Sequence, residues 1–209
     1  MSSGQKILIA VTLWMLQGTF VVLLVNAQWL ESQSLREQAK AEAFLGTALH
    51  ERVRERATAT YRDLLIDTRV MPLSYERLLP ASGIEQKGME GLAPWFFSWL
   101  EDRLDALWWV VFHAIYRVQT LWEWLPFIGS VLAVSTIDGM STRRVKRVNN
   151  VYASADRYVL GRRFLFVLMI APLLYLFIPL SISPIAIPLW GGALAVALAM
   201  CVANLQQQI

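Results

Sequence analysis

The sequence predicts an all-α polytopic membrane protein with about four transmembrane helices and a helical periplasmic domain. Two observations support this fold class. Of the 209 residues, 56% are hydrophobic and 17% are charged, whereas soluble domains average roughly 45–50% apolar and about 25% charged residues. The apolar residues are also concentrated in separate long runs, a pattern typical of membrane spans rather than of one soluble core.

The first span is predicted within residues 1–28. Residues 7–25 carry no charge, and a helix of that length, rising about 1.5 Å per residue, nearly crosses a hydrocarbon core of about 30 Å. Lys6 precedes the run, and Val25, Asn26 and Ala27 loosely fit a signal-peptide cleavage site. Because the apolar region of a signal peptide is usually only about 7–15 residues long, we expect an uncleaved anchor.

Residues 29–106 are predicted to form a periplasmic helical region that ends in an interfacial helix. Apolar residues recur at three- and four-residue steps through Leu49, Val53, Ala57, Tyr61 and Leu64, which indicates an amphipathic helix. We expect this helix over about residues 31–68, with Pro72 and the PASG stretch at 80–83 as breakers. The apolar stripe fits a coiled-coil seam, a contact with the rest of the region or a contact with the bilayer.

The second span is predicted within residues 107–137, bent near Pro126. This stretch contains a polar group, His113, Arg117 and Glu123, and ionisable residues at membrane depth often mark an ion path. However, tryptophans flank the group on both sides, and tryptophan is enriched at membrane interfaces. We therefore expect these three side chains to be solvated at the interface.

Residues 164–205 are predicted to form a transmembrane hairpin. Two apolar runs, 164–178 and 185–203, flank the short turn PLSISP. Gly191, Ala195 and Ala199 lie four residues apart on the second run, giving a face on which another helix can pack closely. That helix can belong to the same bundle or to a partner, so these three residues are candidate partner contacts.

The distribution of charge predicts sidedness. Residues 138–163 hold seven Lys and Arg against two acids, whereas residues 26–106 hold ten against thirteen. Because cytoplasmic loops carry the excess of basic residues, residues 138–163 are predicted to be a basic cytoplasmic loop of an inner-membrane protein with both termini in the cytoplasm. Direct nucleic-acid binding is not expected for the basic cluster in this loop. A contact with anionic lipids or with a protein partner is predicted for its four residues, Arg143, Arg144, Lys146 and Arg147.

No pattern in the sequence indicates catalysis. The two histidines, His50 and His113, fall in different predicted regions, and no zinc-protease, nucleophile-elbow or P-loop motif is present. Cys201 is the single cysteine, which excludes an intramolecular disulfide and a cysteine-based metal cluster. The sequence therefore predicts a protein that is not an enzyme, with no catalytic, cofactor-binding or metal-binding residues and no cofactor.

The C-terminal half resembles a family of bacterial inner-membrane proteins encoded by integrating conjugative elements and conjugative plasmids. The resemblance covers roughly residues 95–205, where IDGMSTRRVKRVNNVYASADRYVLGRRFL precedes APLLYLFIPLSISPIAIPLW. Its pattern is an Asp-Gly pair after a span, a basic stretch, an aromatic and basic lead into the hairpin, and a Tyr-Leu-x-x-Pro turn. These features match Asp138 and Gly139, Arg143 to Arg147, Tyr158 with Arg162 and Arg163, and Tyr175, Leu176 and Pro179.

This resemblance implies a role in conjugation, because members of the family are encoded near the TraD-type coupling ATPase of type IV secretion. The expected function is a structural accessory that docks beside this ATPase or another membrane protein of the secretion channel. An entry-exclusion protein and a small membrane transporter or pore are the alternatives. A homo-oligomer is also compatible with the sequence.

Overall fold

The computed structural model describes residues 3–79 and 94–205. Over these two ranges the chain is α-helical without strands, which confirms the predicted all-α class. A π-helical turn, Arg62–Ile66, directly follows α3. The helices are α1 Ser3–Leu24, α2 Ala27–Leu45, α3 Thr47–Tyr61, α4 Val70–Leu78, α5 Pro94–Val148, α6 Ala155–Phe177 and α7 Ala186–Ala203.

Three of these helices are long and apolar enough to cross a membrane: Trp95–Val148 of α5, α6 and α7. They support the prediction of a membrane protein. Helix α1 coincides with the predicted first span, but its described apolar stretch, Trp14–Leu24, is shorter than a span. The count of four spans therefore stays a prediction, as do the inner-membrane location and the cytoplasmic termini. The breaker stretch 80–83 and residues 206–209 lie outside the described residues.

The amphipathic helix predicted over residues 31–68 is divided in two. Helix α2 begins at Ala27, where the Asn26 side chain accepts a hydrogen bond of 2.7 Å from the Gln28 amide. Gly46 then separates α2 from α3 with φ of +82° and ψ of 156°. This backbone conformation is easy for glycine alone because a Cβ would be strained there. A single glycine in a helical pattern gave too weak a signal to predict the break.

Helix α5 also differs from the prediction, because it runs without interruption for 55 residues. The interfacial helix and the separate second span are one helix, and the helix continues through Pro126. The segment predicted as a basic loop is mostly helical, since residues 138–148 end α5, residues 155–163 begin α6, and residues 149–154 lie between them. Arg and Lys are good helix formers, and residues 140–148 contain no Gly or Pro to end the helix earlier.

The chain divides into two compact units. The first comprises Met1–Thr120 and Leu176–Ser183. Its buried apolar residues form two clusters, in which α1, α2 and α3 pack on the N-terminal part of α5. The members are Val21, Ala27, Leu30, Ala106 and Val110 in one cluster, and Ala41, Val53, Ala57 and Tyr116 in the other. The predicted stripe on α3 thus contacts helices of its own unit.

The second unit comprises Leu121–Tyr175 and Pro184–Ile209, and close helix packing holds it together. A Cβ built on Gly191 of α7 would lie 3.2 Å from the Ile128 side chain of α5, and one on Gly139 of α5 would lie 2.9 Å from Val202. Residue numbers rise together in these two contacts, so α5 and α7 run parallel. Helix α6 runs antiparallel to them, as the hairpin prediction requires, and Trp190 donates to the Leu168 carbonyl at 2.8 Å.

Candidate functional site

The strongest polar arrangement in the first unit is a buried ion pair between Glu37 of α2 and Arg117 of α5. Arg117 Nε donates to Glu37 Oε1 at 2.8 Å, and Nη2 donates to Oε2 at 2.6 Å. Both side chains are almost inaccessible, with exposed fractions of 0% and 2%. This two-pronged geometry is the one in which a guanidinium and a carboxylate bind each other most strongly.

The same two side chains also hold the loop that follows α6. Arg117 donates to the Ile178 carbonyl at 2.7 Å and to the Leu180 carbonyl at 2.6 Å, while Glu37 Oε2 accepts from the Ile182 amide at 3.0 Å. Both carbonyls lie beyond Phe177, the last residue of α6, so Arg117 fixes the backbone that leaves this helix while it pairs with α2.

Two further residues of α2 reach the same loop. The Ser181 amide donates to Gln33 Oε1 at 3.2 Å. Lys40 Nζ donates to the Ser181 carbonyl at 2.8 Å and to its hydroxyl at 2.9 Å. Glu37 lies between Gln33 and Lys40 on the helix, so one face of α2 binds the loop over about two turns. We call the set Gln33, Glu37, Lys40, His113, Arg117 and the loop backbone at 178–182 the α2 latch.

His113 completes the latch. Its Nε2 lies 3.0 Å from Glu37 Oε2, and it is 6% exposed. Burial raises the pKa of Glu37, but hydrogen bonds from Arg117 and His113 and their charges outweigh it and lower this pKa from 4.5 to about 2. Glu37 is thus ionised at neutral pH. An ionised carboxylate only accepts hydrogen bonds, so His113 Nε2 carries the proton that they share.

This arrangement corrects the expectation that His113 and Arg117 are solvated at an interface, because both are buried and hydrogen-bonded. Burying an unpaired charge would be far more costly than burying a pair. Glu123, the third member of the predicted polar group, is half-buried and belongs to the second unit.

The small-residue face of α7 lies inside its own unit. Gly191 and Ala195 are buried, Ala199 is half-buried, and Gly191 faces Ile128 of α5. The carbonyl of Ala199 lies 3.0 Å from the position of a Cβ on Gly139. Of the two roles left open for this face, the structure shows packing within the bundle.

The four basic residues near the end of α5 have different environments. Lys146 Nζ donates to Asn204 Oδ1 at 2.7 Å and to the Ala203 carbonyl at 3.3 Å, so it caps the C-terminus of α7. Arg144 and Arg147 are exposed, and Arg143 is half-buried. None of these three arginines binds another described residue.

A family model matches residues 8–206 of the chain, and its description is "IncC plasmid conjugative DNA transfer protein DtrJ-like". The chain belongs to the DtrJ-like family. This match covers almost the full sequence, including the N-terminal half to which the resemblance did not extend. It identifies the chain as an accessory protein of conjugative DNA transfer. No curated protein and no solved structure matches the chain.

Within this DtrJ-like chain, the described residues contain no group of three His, Cys, Asp or Glu side chains that could bind a metal ion. The acidic member of the latch is fixed in its charged state, and Arg117 is the partner that fixes it. The five polar side chains of the latch join α2, α5 and the loop after α6.

Sequence analysis found His113 and Arg117 but not Glu37, Gln33 or Lys40. One signal was present, because buried Leu30, Ser34, Glu37 and Ala41 are spaced by three or four residues and define one face of α2. Because buried charges are paired with opposite charges, a buried Arg117 also predicts a carboxylate partner. Thirteen acids in residues 26–106 were available, and no spacing rule selects one across a separation of 80 residues.

Proposed function

We propose that this DtrJ-like protein is a non-enzymatic structural accessory in the inner membrane, which docks beside the type IV coupling ATPase or another membrane protein of the secretion channel. The observation that carries the proposal is the α2 latch. Its buried ionisable groups, which would otherwise suggest a pore or an active site, bind one another and the backbone. A fixed extramembrane helix on a membrane anchor suits a scaffold.

The packing of the second unit supports an orientation in the membrane. Gly191 of α7 lies beside Ile128 of α5, and Val202 of α7 lies beside Gly139 of α5. Both pairs have the same separation in sequence, so the whole of α7 runs alongside about residues 123–140 of α5. We infer that this stretch of α5 crosses the bilayer with α6 and α7. The end with Arg143, Arg144 and Arg147 then faces the cytoplasm, and the loop at 178–182 faces the periplasm.

This orientation gives the basic end of α5 the position to contact a cytoplasmic partner. Arg144 and Arg147 are exposed and unpaired. Acidic protein surfaces and anionic lipids are both expected to bind there, whereas direct nucleic-acid binding is not part of the proposal. The latched helices α2 and α3 would provide a second docking surface in the periplasm.

Crosslinking in intact donor cells before solubilisation, followed by affinity purification of the chain, tests the proposed docking. A photo-reactive residue placed at Arg144 is expected to capture the coupling ATPase or another secretion-channel protein. A matched probe at Val167, an exposed residue in the middle of α6, should capture lipid. Recovery of no secretion protein from donors that still transfer DNA would contradict the docking role.

Gene deletion separates the alternatives. A structural accessory is expected to be required in the donor, so deletion there should lower transfer and deletion in the recipient should have no effect. Increased transfer into a recipient that lacks the gene would instead identify an entry-exclusion protein. Ion flux in liposomes that is lost in His113→Ala would identify a pore.

A further inference from the structure

The basic end of the second unit contains a groove of about 330 Å³, lined by Arg143, Lys146, Arg147, Val151, Tyr152, Ala153, Ala203 and Leu205. The C-terminus of α5, the turn after it and the C-terminus of α7 form its walls. Three basic side chains line the groove, and among the described residues no acidic side chain does. The groove therefore has a concentrated positive charge.

The cations in this groove are not equally available. Lys146 is hydrogen-bonded to the end of α7, but Arg143 and Arg147 bind no described residue. They are four residues apart on one helix, so they lie on the same face. Arg143 is also half-buried. A partly desolvated guanidinium without a counter-ion is unfavourable, and an anionic ligand would remove that penalty.

Part of the groove wall, beside the basic side chains, is apolar and exposed. Tyr152 is 95% exposed, and Val151 and Leu205 are also exposed. A soluble anion would gain little from such walls, whereas a phospholipid presents phosphate oxygens beside glycerol and acyl carbons. The groove also lies where two helices that are long and apolar enough to span a membrane end, α5 and α7. Basic pockets between spans at this depth are typical sites for phosphate-bearing lipid headgroups.

We propose that this groove binds the headgroup of an anionic phospholipid with two phosphates, one facing Arg143 and the other facing Arg147. This deepens the lipid contact in the proposed function and rests only on its membrane orientation, not on the conjugation partner. Arginine binds phosphate oxygens in a two-pronged manner. Two arginines one helical turn apart therefore match a headgroup with two linked phosphates better than a headgroup with a single phosphate.

Native mass spectrometry of the full chain, released from membranes containing a diphosphate lipid such as cardiolipin, tests this proposal. We expect the wild-type chain to retain one such lipid in preference to phosphatidylglycerol and phosphatidylcholine. In Arg143→Gln/Arg147→Gln, retention should fall about twenty-five-fold, the product of roughly five-fold per basic residue at an anionic surface.

The matched control is Arg157→Gln/Arg163→Gln, which removes the same charge from exposed positions outside the groove. This variant should retain the lipid as the wild type does. Equal losses in the two double variants would overturn the proposal, because diffuse charge would then explain the binding. Equal retention of phosphatidylglycerol and cardiolipin by the wild type would overturn the two-phosphate assignment.

A second arm distinguishes lipid from nucleic acid. The chain in neutral nanodiscs is titrated with a fluorescent single-stranded DNA oligonucleotide. The proposal expects no binding that depends on Arg143 and Arg147. DNA binding that is lost in their double variant but kept in the control would overturn the lipid assignment in favour of a DNA contact.

Discussion

Arg117 and Arg147 lie on the same helix and have opposite environments. Arg117 is completely buried in the first unit, where Glu37 and two loop carbonyls bind it. Arg147 is exposed in the second unit and binds no described residue. A charge that is buried and paired contributes to the fold, whereas a charge without a partner is available for a ligand. The type of residue alone does not distinguish the two roles.

The units also differ in what holds them together. In the first, the α2 latch joins helices through charged hydrogen bonds between residues distant in sequence. In the second, helices approach closely at Gly139, Gly161 and Gly191, where an added Cβ would lie 2.9–3.2 Å from a neighbouring atom. We therefore expect the first unit to be sensitive to changes of charge and the second to changes of volume.

Glu37→Gln should have the largest effect on stability. It leaves Arg117 buried without a counter-charge, and breaking a buried pair typically costs about 3–5 kcal/mol. Thermal unfolding in a neutral detergent measures this loss. Glu42→Gln, an exposed change on the same helix, is the control and should unfold like the wild type. Equal unfolding temperatures for the two variants would show that the latch does not stabilise the fold.

Acid should weaken the latch. The pKa of Glu37 is lowered from 4.5 to about 2, so its contribution is fully present above pH 4.5 and is lost as the pH falls towards 2. This difference in pKa corresponds to a contribution on the order of 3 kcal/mol to the free energy of unfolding. Other carboxylates titrate in this range, so the stability difference between wild type and Glu37→Gln is measured at each pH. This difference should shrink with acidification, and a constant difference would contradict the assignment.

Arg117→Lys should destabilise the protein by about 2–3 kcal/mol, because an ammonium retains the charge but cannot reach the carboxylate and both loop carbonyls with the same geometry. Hydrogen exchange is expected to rise at the amides of Ser181 and Ile182, which the latch holds. Arg144→Lys, at an exposed site, should change neither quantity. Unchanged hydrogen exchange in Arg117→Lys would show that a positive charge at this position holds the loop without the geometry of the guanidinium group.

Gly139→Ala should destabilise the second unit by about 1–3 kcal/mol through overpacking. The new Cβ would lie 2.9 Å from Val202 Cβ and 3.0 Å from the Ala199 carbonyl oxygen. Gly192→Ala is the matched control, since nothing lies within 4 Å of its Cβ position. The control should be neutral or stabilised by up to about 1 kcal/mol, because alanine favours helix more than glycine does. Thermal unfolding compares the two.

Local sequence patterns predicted much of the fold. Apolar runs located α6, α7 and the apolar part of α5, and three- and four-residue steps located α3. The ends of helices were less predictable. The sequence does not mark Gly46 as a break, and the excess of basic residues at 143–147 predicts a loop because such charge is typical of cytoplasmic connections between spans. Charge on a helix that extends beyond the apolar layer gives the same pattern.

The candidate site was only half predictable for a similar reason. His113 and Arg117 were conspicuous because they interrupt an apolar helix. Their partners lie about 80 positions earlier on α2 and about 60 positions later in a loop. Such pairings depend on tertiary structure, and neither hydrophobic periodicity nor motif spacing contains that information. The backbone carbonyls of Ile178 and Leu180 leave no side-chain signal at all.

One measurement tests the contrast between the two charged regions most directly: thermal unfolding of the full chain in neutral detergent, with and without added cardiolipin. At about 100 times its Kd, a lipid bound to the folded state should stabilise the wild type by about 2.7 kcal/mol. Glu37→Gln should start less stable and keep this increment. Arg143→Gln/Arg147→Gln should start at wild-type stability and, because it binds the lipid about twenty-five-fold more weakly, keep only about 1 kcal/mol of this increment. A double variant that keeps the full increment, or that starts as unstable as Glu37→Gln, would contradict the division between a structural and a binding charge.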